Sequence, residues 1–128
     1  MATRSKAKAE VRKQNKDTRP HAIAKYIRIS PSKVHVVLDL IRGHDYAEAV
    51  AILKTTSKVA CEPVLKCLNS AAANAEVNLG MNKDALYVAE CYADQGPTLK
   101  RMQPVSRGRG YRILKRTSHI TVILDERA

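Results

Sequence analysis

One stretch of this sequence concentrates side chains that can bind an anion. Residues 98–118 have the sequence TLKRMQPVSRGRGYRILKRTS, with seven Lys or Arg residues and no acidic residue. Because these cations repel one another and few apolar side chains lie between them, the segment cannot fold stably against itself. It requires a partner of opposite charge, and a phosphate backbone is the natural one.

The charge of the whole chain is segregated. The 128 residues carry a formal net charge of +11. Residues 1–19 contribute +5 and residues 98–118 contribute +7, whereas residues 20–97 have eight charges of each sign and are neutral. A neutral body with two cationic extensions is typical of nucleic-acid binding, since solubility alone does not require this segregation.

The length predicts a single domain over residues 20–128, preceded by a basic, flexible N-terminal arm over residues 1–19. The arm also has the basic, Ala- and Ser-containing composition of an organelle transit peptide, but Glu10 and Asp17 argue against that interpretation. Cys61, Cys67 and Cys91 lack a CxxC spacing. We therefore expect free thiols and neither a disulfide framework nor a zinc site. No apolar run is long enough to span a membrane.

The apolar pattern predicts an α+β fold, with three helices packed on a small three-stranded antiparallel sheet. Residues 21–29 alternate in polarity, which predicts a first strand with Ile23 and the isoleucines at 27 and 29 on one face. Ser30 is then a helix N-cap and Pro31 the first helical residue. Apolar residues at positions 34, 37, 38 and 41 form one face of this helix, which Gly43 ends.

Two further helices follow. Asp45 and Glu48 have the spacing of a capping box and open a short helix that runs to about Leu53. A third helix is expected over about residues 57–79. Within it, Pro63 requires either a late start near residue 62 or a bend.

Two more strands flank the cationic segment. Leu86, Val88 and Tyr92 are expected on one face of the second strand, and positions 120, 122 and 124 on one face of the third. The simplest topology is a long hairpin over about residues 86–124 with its tip at about 103–109. Each arm has roughly 17 residues and spans about 55 Å, whereas a domain of this length has a radius of gyration of about 14 Å. The two extended strands must therefore protrude from the body.

Nothing in the sequence supports catalysis. The four histidines have no spacing to Cys or Ser that suggests a nucleophile and base. The glycines at 108 and 110 form an Arg-flanked turn and no phosphate-binding glycine motif. We predict a non-enzymatic protein with no catalytic residue, no cofactor and no metal.

Six motifs resemble one family, in order along the chain. They are RISPSK at 28–33, LIRG at 40–43, SAAANAE at 70–76, DQGP at 94–97, LKR at 99–101 and RTSHITV at 116–122. They resemble the bacterial-type large-subunit ribosomal protein L twenty-two family, and the resemblance covers about residues 20–125. Two features depart from the family: Val105 follows the tip proline where Arg is usual, and residues 1–19 extend beyond the usual start.

The resemblance implies a small α/β domain with a long β-hairpin and a structural role in the large ribosomal subunit. Its implied partners are large-subunit rRNA, neighbouring ribosomal proteins including L four across the tunnel, and the nascent peptide. It further implies a hairpin that lines the peptide exit tunnel, a contribution to early subunit assembly and an influence on macrolide response. We expect a cytoplasmic protein that is monomeric within the ribosome and has no membrane partner; an organellar ribosome stays open.

The predicted rRNA contacts combine the cations of both extensions with a cluster at the start of the first helix, where backbone N–H groups favour a phosphate. They are Arg4, Lys6, Lys8, Arg12, Lys13, Lys16, Arg19, Arg28, Ser30, Ser32, Lys33, Lys100, Arg101, Arg107, Arg109, Arg112, Lys115, Arg116, Thr117, Ser118 and His119. The tunnel-lining residues that the resemblance implies are Met102, Gln103, Pro104, Val105, Ser106, Arg107, Gly108 and Arg109.

Three other functions remain as alternatives. An architectural DNA-binding protein could place a basic β-ribbon in a groove. A membrane-active basic module is less consistent with the sequence, because the cationic segment lacks the apolar face that interfacial binding requires. An enzyme is the least supported.

Overall fold

The fold is organised around its last strand, which pairs with a strand on each side. The computed structural model describes residues 3–128. Met1 and Ala2, the first two residues of the predicted arm, lie outside the described residues. The helices are α1 (Thr3–Gln14), α2 (Pro31–Ile41), α3 (Tyr46–Thr55) and α4 (Cys61–Leu79), and the strands are β1 (His21–Ile27), β2 (Leu86–Gln95), β3 (Leu99–Pro104), β4 (Gly110–Lys115) and β5 (Ser118–Glu126).

The strands form two antiparallel sheets. One has three strands in the order β1-β5-β2, and the other is the two-stranded β3-β4 ribbon. Ile120, Val122 and Leu124 of β5 are fully buried and form the centre of the core, as predicted. Helix α4 packs on β1 and β5, α2 packs on β2, and α3 packs against both helices. The predicted α+β class is thus confirmed. A three-stranded antiparallel sheet is present, but β3 and β4 form a separate sheet and do not continue two of its strands as predicted.

The predicted number of helices is wrong, because residues 3–14 form a fourth helix, α1. Ala, Lys, Arg, Gln and Glu dominate this segment, and all five favour helix formation. None of its residues is buried, and Val11 is its one large apolar side chain. The segment predicted to be a flexible arm therefore contains a solvated helix, with which its high charge is compatible. The division into an arm over residues 1–19 and a domain over residues 20–128 stays a prediction.

Helix α2 begins at the predicted residue. It ends one residue earlier than predicted, because Gly43 follows the C-cap residue and is not the C-cap itself. Ser30 occupies the N-cap position and Pro31 the first helical position. The helix ends at Ile41, Arg42 is the C-cap, and Gly43 follows with a φ of +80°. The left-handed conformation explains why glycine occurs there.

The predicted capping box before α3 does not form. Asp45 lies at the N-cap position, but its side chain makes no capping hydrogen bond. Instead, Asp45 Oδ1 lies 3.3 Å from Arg127 Nε, and Glu48 Oε2 lies 3.2 Å from His44 Nδ1. A tertiary ion pair with Arg127 occupies the Asp45 carboxylate, and a local contact with His44 occupies Glu48. The spacing of Asp45 and Glu48 alone could not reveal the tertiary pair.

Helix α4 starts late, which was one of the two possibilities left open by Pro63. The helix begins at Cys61, so Pro63 lies in its first turn. An amide N–H at that point would have no partner within the helix, so proline costs little there. Ala71, Ala72 and Ala75 are fully buried, and their small side chains allow α4 to lie close to the sheet.

The buried face of β1 differs from the prediction. Ala22 is buried opposite Val122, whereas Ile23 is 52% exposed on the other face. The register shifts between Ala24 and Ile27, where Tyr26 has a φ of +58°. This irregularity returns Ile27 to partial contact with the core. The isoleucines of the segment therefore do not share one face.

A bulge in β2 explains a second error. Val88 pairs with Leu124, but Glu90 pairs with Ile123, so Ala89 is an extra residue. Since side chains alternate with a period of two, one extra residue exchanges the two faces beyond it. The buried residues are Leu86 and Val88 before the bulge and Cys91 and Ala93 after it. Tyr92, expected inside, is exposed.

The three cysteines are free and buried, as predicted. Burial raises the pKa of the Cys67 thiol to about 11, and it raises the pKa of Cys91 as well. The Cys67 thiol donates to the Ala22 carbonyl oxygen at 3.4 Å. These side chains serve as small apolar core residues.

The separation of core and ribbon predicts a large difference between two truncations. Leu38→Ala should lower the free energy of unfolding by about 2–5 kcal/mol, because Leu38 is fully buried and its loss leaves a cavity. Arg107→Ala at the exposed ribbon tip should change it by less than about 0.5 kcal/mol. Urea unfolding followed by circular dichroism measures both values.

Val77→Ala, on the exposed side of α4, controls for truncation of an aliphatic side chain and should also have little effect. A tip variant that unfolds at as low a urea concentration as Leu38→Ala would contradict the independence of ribbon and core.

Candidate nucleic-acid interface

The β3-β4 ribbon presents cations on both faces. Its register runs from Leu99 opposite Lys115 to Pro104 opposite Gly110. Directly opposed residues share a face, so Arg101 and Lys115 lie on one side and the cations at 100 and 112 on the other. All seven predicted cations of residues 98–118 are exposed. Within residues 3–128, no carboxylate forms a salt bridge with any of them.

The chain reverses direction over residues 105–109. The Val105 N–H donates to the Arg109 carbonyl at 2.8 Å and closes the loop. Arg107 and Gly108 have φ values of +61° and +67°, so this turn holds an arginine in the left-handed region. All the predicted tunnel-lining residues from 102 to 109 are exposed. The tip therefore presents two arginines with no protein surface behind them.

The ribbon joins the body through an irregular junction. Three residues, 96–98, lie opposite two, 116 and 117, so the ladder is interrupted between β2-β5 and β3-β4. The Gly96 N–H donates to the Thr117 carbonyl at 2.9 Å, and the Thr117 hydroxyl donates to the Pro97 carbonyl at 2.7 Å. The expected hairpin thus consists of two paired segments separated by this junction.

Three predicted RNA contacts belong to the junction. Thr117 and Ser118 are buried, so their side chains are not available to an RNA in this conformation. His119 Nδ1 accepts a hydrogen bond from the Tyr26 N–H at 3.0 Å, and the two rings meet edge to face with centroids 5.0 Å apart. Thr117 therefore links the two arms of the hairpin at the junction, and His119 links β5 to β1.

A cleft brings together two predicted groups of contacts that are far apart in sequence. Arg28 and Ser30 come from the β1-α2 connection, Lys33 comes from the first turn of α2, and Lys115 and Arg116 come from the base of the ribbon. The cleft has a volume of about 450 Å³. Neither serine hydroxyl caps α2; Ser30 Oγ lies 3.3 Å from Ser32 Oγ instead. The cations and the Ser30 hydroxyl around this opening could bind a phosphate group.

Three apolar residues of the cleft were missed: Ile29, Val59 and Leu114. Leu114 belongs to a strand that has no core beneath it, and Val59 lies in the connection between α3 and α4. In the sequence, the one signal that could have pointed to Val59 was an apolar side chain within a mostly polar connection. Only the fold, which places the connection and the ribbon base around the same cleft, gives it a role.

Five of the seven predicted N-terminal cations lie on the exposed helix α1, whereas Lys16 and Arg19 follow it. Arg4, Lys8 and Arg12 are spaced four residues apart and so share one side of α1. Arg19 instead donates to Asp17 Oδ2 at 2.7 Å and to Glu90 Oε1 at 2.8 Å. Hydrogen bonding to Arg19 lowers the pKa of the Asp17 carboxyl to about 2, and the same ion pairs raise the pKa of Arg19. Arg19 therefore fastens the arm to β2 and is less available to RNA than predicted.

Two asparagines of α4, Asn69 and Asn74, have protein partners. The Tyr46 hydroxyl donates to Asn69 Oδ1 at 2.8 Å, and Asn74 Nδ2 donates to the His21 carbonyl at 2.9 Å. Neither belongs to the cationic surface. Among residues 3–128, no cluster of three or more His, Cys, Asp or Glu side chains could hold a metal ion. No helix in the same range is long and apolar enough to cross a membrane.

Comparison with known proteins agrees with this geometry. Residues 22–125 match the family described as ribosomal protein L22p/L17e. The chain belongs to this family. It is 60% identical over 107 residues to the large ribosomal subunit protein uL22 of Clostridium novyi (strain NT), which covers 84% of this chain and 96% of that protein. It is 59% identical over 106 residues to the uL22 protein of Desulfitobacterium hafniense (strain DSM 10664 / DCB-2), covering 83% and 93%.

The family match includes the cleft, the junction and the whole ribbon, whereas α1 lies before it. The resemblance seen in the six sequence motifs is therefore confirmed. The N-terminal helix is a separate feature that membership of the L22p/L17e family does not account for.

The junction predicts an energetic coupling between two positions. A β-carbon at residue 96 would lie 2.5 Å from Thr117 Oγ1 and 3.2 Å from His119 Cε1. Gly96→Ala should therefore lower the free energy of unfolding by about 1–3 kcal/mol through overpacking. Combining it with Thr117→Ala, which removes the obstructing oxygen, should recover part of that loss. Urea unfolding of the two single variants and the double variant gives the coupling.

Thr117→Ser is the matched control, because it keeps the hydroxyl and should recover little of the loss. If the losses in unfolding free energy from Gly96→Ala and Thr117→Ala simply add in the double variant, the contact between residue 96 and Thr117 Oγ1 is not the reason for glycine at this position.

Proposed function

We propose that this chain anchors large-subunit rRNA with its ribbon, its cleft and its N-terminal helix. As a member of the L22p/L17e family, it is a structural, non-enzymatic protein of the large ribosomal subunit of bacterial type, and acts in the cytoplasm. The relatives described above carry the name large ribosomal subunit protein uL22. The proposal concerns how the chain performs this role.

The observation that carries the proposal is the distribution of charge on the ribbon. Cations project from both faces, and no carboxylate within the described chain neutralises them. A flat anionic surface would neutralise the cations on only one face of the ribbon. Folded RNA that surrounds the ribbon supplies phosphates to both, and these contacts release counterions. The ribbon is thus suited to a passage between RNA segments.

The body contributes rigidity and position. Its charges balance, and its core is complete without the ribbon. Phosphate contacts from the cleft and the ribbon would fix the orientation of the protein, and the shape of the folded RNA would supply most of the specificity. The chain therefore acts as a preformed template for rRNA segments, which is consistent with a part in early subunit assembly.

The tip is assigned to the peptide exit tunnel. The family resemblance supports this assignment, as does the full exposure of residues 102–109. In this arrangement the tip faces the nascent peptide and ribosomal protein L four, and it influences the space open to macrolides. Val105 replaces the arginine usual after the tip proline, so this chain carries one cation fewer at that point.

The charge argument predicts the salt dependence of RNA binding. Changing Lys100, Arg101, Arg107 and Arg109 together to Gln should weaken binding to large-subunit rRNA. The slope of log affinity against log salt concentration should become shallower by at most about four units, with each lost phosphate contact contributing slightly less than one. Filter binding to full-length rRNA at several salt concentrations measures this slope.

A triple Gln variant at Lys54, Lys66 and Lys83, which are body cations outside the predicted interface, should leave the slope unchanged. An unchanged slope in the ribbon variant would mean that its cations touch no phosphate. Titration of duplex DNA in parallel tests the architectural DNA alternative, which requires DNA to bind at least as tightly as rRNA.

A deletion separates the roles of body and tip. Removing residues 99–101 shortens β3 by about 10 Å and, because the number is odd, exchanges the faces of the residues beyond it. The body does not depend on these residues for its core. We expect the deleted protein to fold and to enter large subunits with a displaced tip and an altered macrolide response.

Cryo-electron microscopy of purified subunits carrying the deletion measures both parts of this expectation. A tip in its original place, or subunits that lack the protein, would show that body and tip do not act separately.

A further inference from the structure

The cleft between body and ribbon combines two kinds of surface. Four cations surround it, one from the β1-α2 connection, one from the first turn of α2 and two from the ribbon base: Arg28, Lys33, Lys115 and Arg116. No acidic residue lines it. Binding of a phosphate group would explain why four cations surround the cleft. The RNA contact proposed above requires only such a phosphate.

Phosphate binding does not account for the apolar part of the same cleft. Val59 is 83% exposed and Leu114 is 45% exposed, and both line the opening beside the cations. Ile29 completes this apolar side. Exposed aliphatic side chains gain free energy when a flat apolar ligand covers them. A phosphate, which is charged and hydrated, provides no such cover.

One ligand class matches both surfaces. A nucleotide carries an anionic phosphate and a nearly flat base of which both faces are weakly hydrated. Single-stranded RNA is recognised by holding unstacked bases against side chains, including the planes of Arg guanidinium groups. Arg28 and Arg116 provide such planes here. The volume of about 450 Å³ lies in the range of small-ligand sites.

We propose that this cleft holds one unstacked nucleotide of the rRNA. Its base lies against Val59 and Leu114, within reach of the guanidinium planes of the arginines at 28 and 116, and its phosphates are bound by Lys33 and Lys115. This inference rests on the proposed rRNA binding and extends it from phosphate contacts to the capture of a particular unpaired nucleotide. The cleft would then fix the register of the RNA on the protein.

The cleft also explains how the body and the ribbon could act together. Its walls come from the β1-α2 connection, the α3-α4 connection and the base of β4. A nucleotide between them contacts all three at once. The capture of one nucleotide would therefore hold the ribbon base against the body.

Two substitutions separate base contact from phosphate contact. Val59→Ala removes two methyl groups from the apolar side, so full-length large-subunit rRNA should bind up to about ten-fold more weakly. The salt dependence should not change, since no ion contact is lost. Lys115→Gln should instead make the salt slope shallower by up to about one unit.

Val77→Ala is the matched control for Val59→Ala. Val77 is 80% exposed and lies on α4 away from the cleft, so its truncation should leave the affinity unchanged. Circular dichroism of each variant verifies that the fold is intact. Equal affinities for Val59→Ala and the wild-type protein would overturn the proposal.

Crosslinking identifies the nucleotide. A photoreactive phenylalanine derivative placed at position 59 should crosslink full-length rRNA at one unpaired nucleotide, mapped by reverse-transcription stops, whereas the same group at position 77 should not. Crosslinks spread over paired nucleotides, or none, would overturn the proposal. If an acidic peptide occupies the cleft instead, position 59 will crosslink a ribosomal protein in assembled subunits. A wild-type protein without salt-dependent rRNA affinity would refute the proposed function itself.

Discussion

The whole molecule depends on the pairing of β5 with β1 on one edge and β2 on the other. This pairing places Ile120, Val122 and Leu124 at the centre of the core, where α2 and α4 cover them. The chain of this strand runs through the buried Thr117 into the ribbon. The most deeply buried strand of the sheet is therefore joined directly to the ribbon, which has no core beneath it. A ribbon without a core can project in a defined direction only because its base belongs to a strand bonded on both edges.

Charge and stability are divided between different parts of the chain. The body has a balanced charge and a core of aliphatic side chains, so it can fold before any ligand binds. The ribbon and α1 carry the positive charge and bury almost nothing. Like charges at Arg4, Lys8 and Arg12 repel one another along one side of α1, and a polyanion would remove that repulsion. Association with RNA would thus stabilise the helix as well as hold it.

Much of the fold could be predicted from the sequence, because the strongest patterns reflect burial. The alternation of Ile120, Val122 and Leu124 placed β5 correctly, and the spacing of Val34 and Leu38 placed α2. The errors arose where tertiary contacts overrode a local rule. Ala89 enters β2 as a bulge and exchanges its faces, and Asp45 pairs with Arg127 instead of capping α3. For the site, composition identified the cations, but only the fold could show that Val59 and Leu114 lie beside them.

The two-sided charge of the ribbon has a consequence for how long the protein stays in place. A protein that lies on a surface can leave by breaking its contacts in one direction. In the proposed arrangement RNA encloses the ribbon on both faces, so the ribbon would have to withdraw along its own axis or wait until the surrounding RNA opens. Its residence would then be limited by the opening of the RNA and not by the strength of individual contacts. Exchange of this protein between finished particles should be slow even in salt that weakens its affinity for free RNA.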